Sequence, residues 1–160
     1  MRRTLMLMLA AALVLLLAVP VYGGQNRNFV APLDGGQEIP GPVDTNATGV
    51  AKFQLSKDGN TLEYKLIVAN IENVFGAHIH CGAVGVAGSI GVTLFSTAPP
   101  NLGSMNGILA QGSITAPDAG NGCGWANLAA VVTAIRSGDT YVNVHTLPGT
   151  PSGEIRGQIK

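Results

Sequence analysis

Charge is scarce in this chain: only 11% of its 160 residues are charged, nine basic against nine acidic. Its lysines and arginines form no cluster, which excludes nucleic acid as the main partner, because the phosphate backbone is gripped by clustered cations. It has no polybasic or amphipathic stretch for lying on a membrane surface. Several catalytic signatures are missing as well: a Gly-x-Ser-x-Gly elbow, a glycine-rich phosphate loop opening a helix, and the paired carboxylates of a glycosidase. Cysteines number two and histidines three, so any site of thiolate or imidazole must draw on very few residues.

Long hydrophobic runs are equally rare, and the exception stands at the start. Leu5 to Val19 is almost pure Leu, Met, Ala and Val, preceded by Arg2 and Arg3 and followed by Val21-Tyr22-Gly23. A positive start, a short apolar stretch and small residues at −3 and −1 read as a secretory signal over residues 1–23, cut after Gly23. The run is short for a membrane span, which needs roughly twenty apolar residues, and an uncleaved N-terminal anchor is the alternative. No cysteine follows the run to carry a lipid. Removing Arg2 and Arg3 leaves seven basic against nine acidic residues in the part 24–160. That part has the size of one domain, with no membrane span of its own and enough Val, Ile, Leu and Phe to fold.

Beyond residue 28 the hydrophobic pattern alternates with period two. Gly49–Leu55 and Thr61–Val68 flank Lys57-Asp58-Gly59-Asn60, a hairpin signal. Further strands are expected at Phe29–Leu33, Val74–His80, Ser89–Phe95, Gly107–Ile114, Thr140–Thr146 and Glu154–Ile159. Glycine- and proline-rich turns separate them, including Gly82–Gly88 and Ala98-Pro-Pro-Asn. One segment has helical spacing: Leu128, Val131, Val132 and Ile135 fall on one face, with Asn127 placed to cap the start and Gly138 to stop the end. Short antiparallel strands with a single helical crossover predict an all-β, Greek-key β-sandwich.

Cys81 and Cys123 are an even pair in an exported chain, which reads as a disulfide closing a loop of about forty residues and adding roughly 3–4 kcal/mol of stability. Thiolate ligation beside the histidines is the rival reading. Ala77-His78-Ile79-His80 places two imidazoles on one strand face, and Asn143 and His145 share a face of Val142–Thr146. If the two strands are close, His78, His80 and His145 converge as neutral imidazoles suited to copper or zinc. The competing reading is a structural polar cluster, each ring bonded to a backbone carbonyl or a carboxylate. Glu154 and Arg156 fall on one face of Gly153-Glu-Ile-Arg-Gly-Gln-Ile and read as a structural polar pair, with Arg156 alternatively anchoring Glu38 across the sandwich.

The segments Ala77-His-Ile-His-Cys-Gly, Tyr141-Val-Asn-Val-His-Thr and Pro151-Ser-Gly-Glu-Ile-Arg-Gly-Gln-Ile resemble the CHRD domain, the repeat first described in chordin. Phe29-Val-Ala-Pro-Leu-Asp-Gly-Gly-Gln-Glu-Ile-Pro, Ala47-Thr-Gly-Val-Ala and Leu62-Glu-Tyr-Lys-Leu fit as well, so the likeness spans residues 28–160 and the domain boundary is set at 24–160. The resemblance implies an extracytoplasmic setting, periplasm or cell surface, and an extracellular or envelope protein as partner. It also implies an immunoglobulin-like fold resembling that of copper/zinc superoxide dismutase. A dinuclear centre of that enzyme's kind needs more histidines than this chain possesses. The expectations are therefore a secreted, non-enzymatic structural or interaction module, then a mononuclear copper- or zinc-binding protein, then a dismutase-like redox activity. The metal, the partner and the oligomeric state are not fixed by the sequence.

Overall fold

Alternation and turn chemistry produce the strands at the expected places. The computed structural model describes residues 26–98 and 103–160, so the export segment 1–23 and most of the Ala98-Pro-Pro-Asn turn lie outside the described residues. The strands are β1 (Asn28–Asp34), β2 (Thr48–Leu55), β3 (Leu62–Glu72), β4 (Val74–Cys81), β5 (Ile90–Ser96), β6 (Ser104–Ile114), β7 (Thr140–Thr146) and β8 (Ile155–Gln158). A single 3-10 turn follows β1 at Gly35–Gln37. Helix α1 (Leu128–Arg136) bridges β6 and β7.

The Asp58-Gly59 turn works as its composition demands. Gly59 sits at φ +76, in the region glycine enters without a Cβ clash, and Asp58 accepts from Ser56 Oγ and the Asn60 amide. Helix α1 is capped by Asn127, whose Oδ1 accepts from the Ala130 amide at 3.0 Å. Its buried side chains are Leu128, Val131, Val132 and Ile135, the stripe that the periodicity sets against the core. Gly138 beyond its end has φ +75.

All neighbouring strands pair antiparallel, in the order β5-β4-β7-β8-β1-β2-β3-β6. The sheet folds over on itself into two facing halves, β5-β4-β7-β8 and β1-β2-β3-β6. The chain crosses between halves after β3, after β5 and through α1, which gives the Greek-key character. The halves join through β1 and β8, with one register pair, Asp34 opposite Arg156, and mutual backbone bonds between Val30 and Lys160 at 2.9 and 3.0 Å. Toward the far edges, Tyr64 Oη of β3, the strand beside β6, donates to the Leu94 carbonyl of β5 at 2.7 Å.

Between the halves lies the apolar core. Leu62, Leu66, Val68 and Ile71 of β3 meet Ile79, Val142, Val144 and Ile155 of the other half, all essentially without solvent exposure. Each such side chain contributes roughly 1.5–3 kcal/mol through burial. A disulfide links Cys81 to Cys123 across a sequence separation of 42, with Cα atoms 5.7 Å apart. It ties the end of β4 to the loop leading into α1, and the thiolate-ligand reading of Cys81 is thereby set aside.

Candidate metal centre

Strand alternation that sends Ile79, Val142, Val144 and Ile155 inward sends a second set of side chains to the opposite face of the same strands. Across β4, β7 and β8 these align in rows by register: His78 beside Asn143 beside Arg156, and His80 beside Tyr141 beside Gln158. His145 stands next to Gly76. On an ordinary sandwich this face would be wet. Here every residue of β7 and β8 is buried, on both faces, because connecting segments fold over it.

Each covering segment is tied to the polar rows by a named bond. The segment 35–47 brings Glu38, whose Oε2 accepts from Asn143 Nδ2 at 3.3 Å, and Thr45, whose hydroxyl donates to Glu154 Oε1 at 2.7 Å. The loop between β4 and β5 is held by Arg156 Nη2, which donates to the carbonyls of Ala83 and Val86 at 3.3 and 2.9 Å, and by Gln158 Nε2, which donates to Gly82 O at 2.9 Å. The Arg156 guanidinium lies 3.4 Å over the Tyr141 ring, and Tyr141 stacks on His80 at 4.9 Å and 11°. In the segment between β7 and β8, Glu154 Oε2 accepts from Thr146 Oγ1 at 2.6 Å. Gly153, at φ +138, lies so close to the Asn143 amide that any side chain there would collide with it.

The three histidines converge under this cover. Ring centroids are 5.7 Å apart for His78–His80, 5.0 Å for His78–His145 and 5.6 Å for His80–His145. One ligating nitrogen from each ring lies within 4.8 Å of the others. His80 Nδ1 is 3.0 Å from Gly88 O and His145 Nδ1 is 3.1 Å from Pro151 O. A carbonyl can only accept, so both Nδ1 atoms carry the hydrogen and both Nε2 atoms keep a lone pair. Those two Nε2 atoms, together with His78 Nδ1, are buried and have no hydrogen-bond partner. Gly76 makes room for His78, since a Cβ there would stand 3.0 Å from the imidazole Cε1.

Burial governs the protonation of the rings. It is the largest cause of the shift that brings both His80 and His145 down to about 4, with the neighbouring imidazoles pushing the same way and the carbonyl contacts opposing. His78 is also lowered by burial, and the charge of Asp118 works against that shift. At neutral pH all three are neutral donors. Glu38 moves the other way: burial pushes its carboxyl up to about 7, against the Asn143 hydrogen bond and the Arg156 charge.

The sequence reading named His78, His80 and His145, and the fold brings all three together. It also named Glu154 and Arg156 as a polar pair. Among the described residues no hydrogen bond or ion pair joins those two: Glu154 is satisfied by threonine hydroxyls and Arg156 by backbone carbonyls. The physical reason is the covering loops, which supply closer partners to each. Tyr141, Gln158 and Asp118 were not singled out from the sequence. The alternating Thr-Tyr-Val-Asn-Val-His-Thr of β7 reads as an ordinary half-exposed antiparallel strand, so its burial on both faces gave no signal in the sequence.

Fold and site together define a class: a rolled antiparallel β-module whose second, polar interior holds three uncharged imidazoles. The family model for the CHRD domain matches residues 29–159, nearly all of the described chain. The chain belongs to the CHRD domain family. No match was found among curated proteins or solved structures.

Proposed function

We propose that this protein is an extracytoplasmic CHRD module that binds one copper or zinc ion through His78, His80 and His145. The observation carrying this reading is that each ring has one buried nitrogen without a partner, while backbone carbonyls orient two of the rings. A buried unpaired polar atom costs about 1–3 kcal/mol, and a cation held between three converging rings offers their nitrogens a partner. Imidazole nitrogen suits zinc and copper. Metal–nitrogen bonds of about 2.0–2.1 Å hold two ligands of one ion at most about 4.2 Å apart, so binding draws in any pair standing at the 4.8 Å limit. The disulfide suits an oxidising compartment, and among the described residues no helix is long and apolar enough to cross a membrane.

Metal analysis of the purified protein after loading with zinc or copper tests this reading. One ion per chain is expected, lost on His145→Ala with the fold retained by circular dichroism. No stoichiometric metal in the wild type after loading ends the proposal.

A second reading, a non-enzymatic interaction module with an extracellular or envelope protein as partner, has its own observation. Val84 and Val86 are 76% and 51% exposed at the tip of the loop between β4 and β5. Pull-down with and without Val84→Asp tests it: a captured envelope protein lost in the variant supports a docking role, and unchanged capture removes it.

A further inference from the structure

Three neutral imidazoles leave the charge of a bound ion unbalanced, and the surroundings of the cluster are not symmetric. On the His80 side stands the Arg156 guanidinium, over the Tyr141 ring that stacks on His80. On the His78 side the cluster opens, because His78 is half-buried while His80 and His145 are buried. Thr93 pairs with His78 across β4 and β5, so the two side chains share a face. Thr93 Oγ1 donates to Asp118 Oδ2 at 2.7 Å, and the Asp118 amide donates to Gly91 O at 3.0 Å. Asp118 is thus fixed through both backbone and side chain against Thr93, the strand neighbour of His78 on the open flank of the cluster. Its oxygens are not among the ligand atoms gathered within 4.8 Å, so it acts from the shell outside the three nitrogens.

We propose that Asp118 is the specificity-determining carboxylate of the three-histidine centre, holding a water on the ion's fourth position and favouring a divalent ion, zinc or cupric, over cuprous. The inference rests on the metal-centre reading above. A cuprous ion is satisfied by two or three nitrogen donors and carries one charge. A divalent ion in a neutral donor set keeps a water, and a carboxylate that accepts from that water stabilises it. Arg156 opposes any cation from the far side, so the negative charge at Asp118 decides how well two positive charges are tolerated.

The test uses the disulfide-bonded protein and two probes, zinc ion by chelator competition and cuprous ion by anaerobic competition with a cuprous chelator. Asp118→Asn should weaken zinc roughly 10–100-fold while cuprous affinity stays within about threefold. Asp118→Glu keeps the charge and should recover part of the zinc affinity. Thr93→Val releases the carboxylate from its anchor and should cost less than Asp118→Asn, in the same direction. Zinc affinity unchanged in Asp118→Asn overturns the inference, as does an equal loss for both ions, and in either case the metal centre itself stands. A wild-type protein that takes neither ion, and shows no difference from His145→Ala, overturns the centre and this inference with it.

Discussion

The two halves of the sandwich share a core and differ in what lies behind it. In β1 and β2 buried and exposed residues alternate: Phe29, Ala31 and Leu33 point inward, Val30, Pro32 and Asp34 outward to water, and Lys52 and Gln54 do the same beside Phe53. In β7 and β8 nothing alternates in exposure, because the outward face is covered as completely as the inward one. The chemistry still alternates, aliphatic toward the core and polar toward the cover. One half is therefore a sheet with a wet back. The other is a sheet between an apolar interior and a polar one, and it carries the histidines that burial holds neutral.

The largest expected effect is on acid stability, and it belongs to the covered half. Unfolded, His80 and His145 take up protons near pH 6.5; folded, they resist until about 4. Stability present above pH 6.5 is lost as pH falls toward 4, by about 3 kcal/mol for each ring. Glu38 runs opposite, since its folded value of about 7 lies above the unfolded one of 4.5. It contributes stability at low pH that is lost as pH rises from 4.5 to 7, again about 3 kcal/mol. From these three groups, the stability of the metal-free protein should be level above about pH 6.5 and fall by a net of about 2 kcal/mol by pH 4.5, measured by urea unfolding across that range. In a His80→Gln, His145→Gln double variant the acid loss should vanish. Its persistence would assign the loss elsewhere and break the contrast between the halves.

Arg156→Ala probes the cover itself. It leaves the carbonyls of Ala83 and Val86 without their donor and strips the guanidinium from Tyr141. A loss of roughly 3 kcal/mol is expected, with faster amide exchange at Gly88 and Val86 than in the wild type. Undiminished protection in that loop would show that the cover is held by other means. The smallest effect belongs to the wet half: Lys52→Ala and Lys65→Ala, on exposed positions of β2 and β3, should each change stability by less than about 0.5 kcal/mol. A larger change would mean that this face, too, is covered in solution.

Much of the frame was legible in the residues. All eight strands, the capped helix and the Asp58-Gly59 turn follow from period, caps and turn chemistry, all local signals. The His-x-His spacing placed His78 and His80 on one face, and the fold adds His145 because β4 and β7 are neighbours. What was not legible depends on loops. Glu154 and Arg156 look complementary along the chain, yet Thr45 reaches Glu154 from 109 residues away and Val86 reaches Arg156 from 70. Asp118 gives no sequence signal at all, since its relation to His78 runs through Thr93 on a third strand. Partners set by loop return are long-range facts, and periodicity carries none of them.

The seam between the halves has a consequence for the order of events in the life of the chain. Asp34 of the first strand pairs with Arg156 of the last, so the sheet cannot become continuous until β8 has been synthesised. Arg156 is also the residue that pins the loop carrying Gly88, and Gly88 orients His80. A partly made chain can form the β1-β2-β3 meander but has no finished histidine cluster to offer an ion. Contacts so distant in sequence close slowly, which leaves an interval in which the polypeptide is still open. The surroundings of the histidine cluster are therefore complete only once the C-terminal strand is in place.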